Sequence, residues 1–421
     1  MEVMSQSNRQ AVTKTAIMRR LEDAGVHRMP DWRKPQGKRI AHRALMFALA
    51  LAAVSAVRTL RGAERLTARL SPNLRKKTRI KSRISDTKLR DALLSRHVPE
   101  ARFCLVRQVK KEHRRGGLKP SRLGFGVVAI DGKSLGKLDV SKHRHVQNTH
   151  PKDGAPYGLA RVHRATLVSS QAAVCIDQRP IEGTTNEIGA LPDFLEQLFE
   201  TYGRTNLFEV ILGDAGNCSV DCATKIHDRD YGYFLRIKST HGEIFKEARR
   251  RLKADEAAEF EVVRREKGAR VTYRLWRIKK LEGWLTWTHA RQLFRIERTV
   301  DRSDGEPEVG NRYFVTNLAC GRLQRSSEWL ELAKMYWRCE NENHWTADVF
   351  FDEDATRTPW TTDPEAVYVM SFLRMLGLNV LAVLRAACRC EYTHDKLPWQ
   401  EIIVRVQMVL RAQIEEQPAL S

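Results

Sequence analysis

No two cysteines in this 421-residue chain stand in a C-x-x-C pair. The eight cysteines are at positions 104, 175, 218, 222, 320, 339, 388 and 390, and neither close pair, Cys218/Cys222 or Cys388/Cys390, has a second Cys/His pair at zinc spacing nearby. That argues against zinc and disulfides and for reduced, buried thiols in a cytosolic protein. Long apolar runs are also missing. The longest, "ALMFALALAAVSAV" over 44–57, has 14 residues, whereas a membrane-spanning helix needs about 20. It reads as a buried helix, and no membrane partner is expected. The opening "MEVMSQSNRQAVTK" lacks the apolar stretch of a signal peptide, which again points to the cytoplasm. There is no internal repeat and no low-complexity tract. Acidic charge is the last scarcity: 51 Asp+Glu face 73 Lys+Arg, a net charge of +22. Such a field suits a polyanion, and nucleic acid is the commonest one. A basic ribosome-associated protein, or a merely soluble one, stays open on charge alone. With 42% apolar residues the chain is not mostly disordered, and its length predicts two or three domains.

Residues 1 to about 40 read as a polar lead-in. The buried helix follows, then a basic loop, "NLRKKTRIKSR" (73–83), and a helix over "SDTKLRDALLSRH" with Ser85 as its N-cap. Residues 41–105 thus form an all-helical unit, either a DNA-binding module or a packing platform. "RQVKKEHRRGGLKPSR" (107–122) reads as a basic linker. Strands follow in "GFGVVAID" (124–131), "RVHRATLVSS" and "QAAVCIDQRPI". "TTNEIGALPDFLEQLFETYG" is a helix capped by Thr185 or Asn186, with Ile188, Leu191, Phe194, Leu195 and Leu198 as its apolar stripe. The strand "LFEVILGDAG" (207–216), a helix over about 217–228 and the strand "YGYFLRIKS" complete the block. This order predicts an α/β (α+β) mixed sheet with helices on its faces. Residues 258–318 read as a β-rich insertion of two hairpins, one turning at Lys267-Gly268 and one at "DRSDGEPEVG". A helix over "SSEWLELAKMYWRCENENHW" carries Leu332, Met335 and Cys339 on one stripe, and "VYVMSFLRMLGLNVLAVLRAACR" is a long C-terminal helix. The expected units are 1–120, 121–257, 258–318 (the insertion) and 319–421.

Against the basic background stands "YWRCENENHWTADVFFDEDA" (336–355), which holds Glu340, Glu342, Asp348, Asp352, Glu353 and Asp354. Two further acids end apolar strands, Asp131 and Asp214. Strand ends at the edge of a sheet are where open sheets keep their sites. Taken singly, each is an ordinary turn or cap residue, since "DG" at 131–132 is a common turn and Asp214 could cap a helix. Taken together, two strand-end aspartates and the helical Glu340 could hold two divalent ions. Mg²⁺ needs only a few hard oxygen ligands, and a metal pair serves displacement at phosphorus. Glu340, His344 and Asp348 are spaced i, i+4, i+8 on one helix face, as ligand and supporting residues or as an ordinary capped surface helix. A His-plus-carboxylate zinc site lacks further histidines at ligand spacing. "DGKS" (131–134) is not a P-loop tail, because Val127 stands where the motif needs glycine.

These segments resemble the DDE-type transposases of bacterial insertion sequences, in the branch of the H-repeat-associated proteins. "VVAIDGKSL" resembles the first-aspartate motif, "TTNEIGALPDFLEQL" the N-E-I-x-A-x-P helix, "VILGDAGNCS" the second-aspartate segment, and "YFLRIKSTHGEIF" the lysine-bearing strand. "YWRCENENHWTADVFFDEDATR" is similar to the signature W-x-I-E-N-x-x-H-W-x-x-D-V-x-F-x-E-D. "DWRKPQGKRIAHRALMFALALAAVSAVRTLRGAERL" looks like the N-terminal associated domain. The departures are Gly216-Asn217-Cys218-Ser219 after the second aspartate, Cys339 in place of Ile, and Gly136-Lys137 after Leu135. The resemblance implies an RNase H-like core with the triad on Asp131, Asp214 and Glu340. It also implies two Mg²⁺ with Mn²⁺ as a substitute, and contacts that support the metal ligands or touch DNA from Lys133, Lys238, Asn341, His344 and Asp348. The implied partner is double-stranded DNA, as transposon ends and target, bound by a homodimer or higher oligomer in the bacterial nucleoid. The implied activity is cleavage at the ends followed by 3′-OH attack on target DNA. A repurposed DNA-binding relative, or a nuclease without strand transfer, is the alternative.

Overall fold

The computed structural model describes residues 12–35, 38–253, 256–266, 268–281, 286–302, 305–354, 363–388 and 397–411. Its helices begin where capping and apolar spacing allow. Thr13 accepts a hydrogen bond from the Ala16 N–H at 3.0 Å and opens α1 (Lys14–Ala24), which buries Ile17, Met18 and Leu21; Gly25, at φ 77°, closes it in the left-handed conformation. The stretch expected as a polar lead-in therefore holds a helix. Its charged outer face hid a narrow apolar stripe. The apolar run forms α2 (His42–Val54), buried from Ala44 to Val54. Next come α3 (Leu60–Ala68), α4 (Pro72–Thr78), α5 (Asp86–Leu94), capped by Ser85, and α6 (Val98–Arg114). Two readings are corrected here. Pro72 at a first helical turn and the buried Leu74 and Thr78 make α4 a helix inside the expected loop. The expected linker is helical up to Arg114, because Gln108, Val109 and Glu112 continue the buried face of α6.

Ten strands form one sheet: β1 (Val127–Leu138), β2 (Val146–Thr149), β3 (Tyr157–Leu167), β4 (Val174–Pro180), β5 (Val210–Gly213), β6 (Gly232–Ile237), β7 (Phe260–Glu266), β8 (Ala269–Ile278), β9 (Gln292–Asp301) and β10 (Glu308–Thr316). β3 runs antiparallel to β1, β2 and β4, while β5 pairs parallel with β1 and β6 parallel with β5. Helix α7 (Glu187–Tyr202) joins β4 to β5, and α8 (Val220–His227) joins β5 to β6. That strand order and direction is an RNase H-like core. The expected insertion extends the same sheet. Its β10 pairs antiparallel with β6, and β9, β8 and β7 follow outward. The turn residue Lys267 and part of the second hairpin tip lie outside the described residues, as does Cys390. All seven described cysteines are free thiols.

Two strand readings change. β1 does not end at Asp131 but continues to Leu138, held by β3, so 131–132 is strand and not a turn. β2 was not foreseen. Its four residues, Val146–Thr149, carry one buried side chain and no legible pattern.

The sheet buries both faces, with successive residues alternating between them. Val128, Ile130 and Ile211 face α7, in one core shared with α1 to α6 and the C-terminal helices α12 (Pro364–Ala387) and α13 (Trp399–Leu410). Gly377 of α12 lies against the Ala53 backbone, where a Cβ would come within 2.5 Å, so α2 and α12 cross at backbone contact. Among the described residues α12 is also the one helix long and apolar enough to cross a bilayer, and most of it is buried inside the protein. Val127, Ala129, Val210 and Leu212 face the other way, against α10 (Ser326–Met335) with its Trp329, Leu332 and Met335, and Cys339 beyond it. α9 (Glu243–Arg251) precedes the insertion. A π-helical turn (Cys339–His344) and α11 (Trp345–Phe351) follow α10.

Candidate active site

The register of two strands sets the first pair of acids. Ile130 of β1 lies opposite Gly213 of β5 in a parallel pair. The next residues are Asp131 and Asp214. Neighbouring strands lie about 4.8 Å apart and residues in register share a face, so the two carboxylates stand side by side on the face of Ala129 and Leu212. Asp214 ends β5 in a tight turn, its Oδ1 accepting the N–H groups of Gly216 and Asn217 at 2.9 Å each. Asp131 Oδ1 accepts the Gly132 N–H at 3.0 Å, and its Oδ2 lies 3.3 Å from His344 Nδ1.

The third acid comes from across that face. Cys339, fully buried, seats the π-helical turn on the sheet, and Glu340 follows it. Such widened turns occur mostly at functional sites. Burial pushes the Glu340 carboxyl above its ordinary range, the charges of Asp131 and Asp214 push it the same way, and Arg312 and Arg236 oppose them. The three predicted acids therefore share one electrostatic pocket.

The expected helix face also reaches β1. His344 sits beside Asp131, and Asp348 forms an ion pair with Lys133, whose side chain is largely buried. Burial lowers the His344 pKa despite the Asp131 carboxylate, and its Nε2 is buried without a hydrogen-bond partner. Asn341 is exposed, and so is Lys238 just past the end of β6. Trp345 is 52% exposed, whereas Trp337 lies under the Arg312 guanidinium at 4.1 Å.

Among the described residues no three His, Cys, Asp or Glu side chains converge closely enough to chelate an ion as they stand. The donors are nevertheless of the right kind. They are hard carboxylate oxygens, mutually repelling, and Mg²⁺ is commonly held by one or two carboxylates with waters completing its shell.

Beside Glu340, between the insertion and α10, runs a groove of about 690 Å³ lined by Arg264, Arg298, Arg302, Arg312, Lys334 and Trp337, with Asn341 on its rim. Glu266 accounts for part of this charge, pairing with Lys334 at 2.7 Å and Arg298 at 3.6 Å. The sequence reading missed these cations. Arg264, Arg298 and Arg312 lie on three different insertion strands and Lys334 on α10, and only the tertiary fold brings them to one wall.

Comparison with known proteins agrees with the motifs. No family model matches the chain. It is 23% identical over 267 residues to "H repeat-associated putative transposase YhhI" of Escherichia coli K12, covering 61% of this chain and 64% of that protein. It is 24% identical over 274 residues to "Putative transposase YncI" of E. coli O157:H7, covering 61% of each. The chain is thus similar in sequence to proteins described as H-repeat-associated putative transposases. Its match spans less than two thirds of those relatives' own lengths. A shorter match, 31% over 119 residues, covers 40% of the K12 protein "Putative transposase YncI". Among solved structures, a piggyBac transposase synaptic complex with hairpin DNA aligns over 99% of this chain and 82% of that one, with 11% identity and a TM-score of 0.44.

Proposed function

We propose that this protein is a DNA transposase, a metal-dependent enzyme that cuts DNA at the ends of its own element and joins the freed 3′-OH to target DNA. The observation that carries the reading is that Asp131 and Asp214 each follow the last register pair of β1 and β5, Ile130/Gly213, and that both their charges act on Glu340. Carboxylates gathered without a built-in cation, in a chain of net charge +22, fit chemistry on a polyanion. Asp131, Asp214 and Glu340 would hold the two Mg²⁺. When bound, such ions stabilise charge on the attacking and leaving oxygens at phosphorus. The chain's own side chains do the rest. The two N–H groups on Asp214 Oδ1 fix the direction of that carboxylate. His344 orients Asp131, and the Lys133–Asp348 pair braces α11 against β1. The groove cations bind the phosphate backbone, with Arg312 lying between that backbone and Glu340. The same reading implies a homodimer or higher oligomer on paired ends in the bacterial nucleoid.

A second reading, a repurposed DNA-binding relative without cleavage, is favoured by the open spacing of the acids. One experiment separates the two. The purified protein is incubated with labelled DNA carrying its element's ends, in Mg²⁺, Mn²⁺ or EDTA, beside Asp131→Ala, Asp214→Ala and Glu340→Ala. Metal-dependent cut and joined products, lost in all three variants, are expected. Binding without cleavage in any metal would leave the DNA-binding relative, and cut ends without joined product a nuclease.

A further inference from the structure

We propose that Glu187 is a fourth carboxylate of this metal site, a ligand that reaches the divalent ion beside Asp131 from the opposite face of the sheet. The proposal rests on the metal-dependent reading above.

The carrying observation is a missing side chain. Gly132 follows Asp131 in β1, and its absent Cβ would point to the α7 face. A Cβ built there would lie 2.1 Å from Glu187 Oε1 and 2.7 Å from Oε2. The Glu187 carboxylate therefore occupies the space that any other residue at 132 would fill, flat against the strand and next to Asp131. A glycine within a strand costs stability and often marks a close approach, and here the approaching group is a carboxylate.

Glu187 is the first residue of α7, where an acid gains from the helix dipole while staying in water. This one turns inward instead. Burial, then the charges of Asp131 and Asp214, push its carboxyl above the ordinary range, and Arg161 opposes them only at a distance. Among the described residues no side chain forms a hydrogen bond or ion pair with the Glu187 carboxylate. A half-buried carboxylate beside two like charges is stabilised by a bound cation.

A second observation points to the same place. His163 of β3 lies opposite Gly132. It is fully buried, stacks on Phe194 of α7 at 5.7 Å and meets the Asn217 side chain and the Glu187 backbone. Asn217 is buried in turn and its backbone N–H donates to Asp214, so the space beside Gly132 is continuous with the Asp214 turn.

The test is Mn²⁺ binding to the full chain without DNA, followed by electron paramagnetic resonance and calorimetry. It compares the unaltered protein with Asp131→Asn, Glu187→Gln, Gly132→Ala and the Gly132→Ala/Glu187→Gln double variant. Circular dichroism checks the fold, and Glu187→Gln keeps the side chain's shape. The expected result is that Glu187→Gln and Gly132→Ala each weaken Mn²⁺ binding about tenfold or more. The double variant is expected to be no weaker than Glu187→Gln, because Gly132 acts only through Glu187. Unchanged Mn²⁺ affinity in Glu187→Gln, with Asp131→Asn impaired, would overturn the Glu187 assignment and leave the triad standing. No Mn²⁺ binding by the unaltered protein would overturn the metal-dependent reading itself and Glu187 with it.

Discussion

Glu340 and Glu353 belong to one acid-rich stretch, and their surroundings are opposite. Glu353 is 1% exposed and lies 3.0 Å from the fully buried Arg164, with the Ser371 hydroxyl donating to it at 2.8 Å. Burial pushes its carboxyl up, but the guanidinium groups of Arg164 and Arg374 outweigh that and hold it below the ordinary range. Glu340 has no such partner. Its nearest charges include two aspartates, and its carboxyl is held above the ordinary range. Two glutamates of similar local sequence thus differ in where their counter-charge comes from. For Glu353 the fold supplies it, and the carboxylate ties α12 to the sheet. For Glu340 the fold supplies Arg312 and Arg236, which do not outweigh burial and the two aspartates, and the pocket is left for a cation from outside. A perturbed acid gathered with other carboxylates where two parallel strands part marks a candidate site. Comparison with the sealed pair separates that case from structural ionisation.

The largest effects should break this contrast outright. Asp214→Asn or Glu340→Gln is expected to lower DNA cleavage by roughly 10²–10³-fold or more, with fold and DNA binding kept, in the strand-cleavage assay above. Glu353→Gln should do the reverse. Breaking a buried pair leaves Arg164 uncompensated and costs about 3–5 kcal/mol, read by urea denaturation, with cleavage per folded molecule retained. Acidification sharpens the point. Since the folded pKa of Glu353 is depressed, its contribution to stability is present above the ordinary glutamate value of about 4.3 and is lost as pH falls below that through the folded value. The acid limb of the stability profile should therefore be flatter in Glu353→Gln than in the unaltered chain.

Much of the site was legible, because Asp131 and Asp214 each close an apolar run and Glu340 precedes His344 and Asp348 at helical spacing. What placed the aspartates side by side was not local. It required the parallel register of β1 with β5, fixed by the whole core. The continuation of β1 through "DGKSLGKL" was hidden because "DG" at 131–132 reads as a turn. Pairing with β3 overrides that preference, and Gly136, at φ 100°, marks the irregularity between Ser134 and Lys137. Glu187 looked like an ordinary helix-opening acid, since nothing in the sequence states that a strand lacking a side chain passes beside it. Helices α1 and α4 were missed because charge dominates their exposed faces. The two hairpins of the insertion were recognisable from their alternation. Their union with β6 into one sheet was not, and neither was the basic groove that union builds.

A middling effect tests that groove. Arg298→Ala and Lys334→Ala should weaken DNA binding similarly for all sequences. Each should reduce the slope of log affinity against log salt by about 1 per lost phosphate contact, as measured by fluorescence anisotropy across a salt series. Both residues share Glu266 as partner, so the double variant frees that carboxylate within the groove and should bind more weakly than the two single losses combined. An unchanged salt slope would move the DNA path away from the insertion and detach it from Glu340.

The smallest expected effect has the most informative sign. In EDTA, Glu340→Gln removes a charge that faces Asp131 and Asp214 without a partner, so the thermal midpoint should rise slightly. Glu353→Gln should lower it steeply under the same conditions. Added Mg²⁺ should stabilise the unaltered chain through linkage to the folded state and stabilise Glu340→Gln less, which reverses the order of the two midpoints as Mg²⁺ increases. A midpoint that falls in Glu340→Gln without metal would mean that this carboxylate, like Glu353, is already satisfied by the fold, and the contrast between the two glutamates would no longer identify a site.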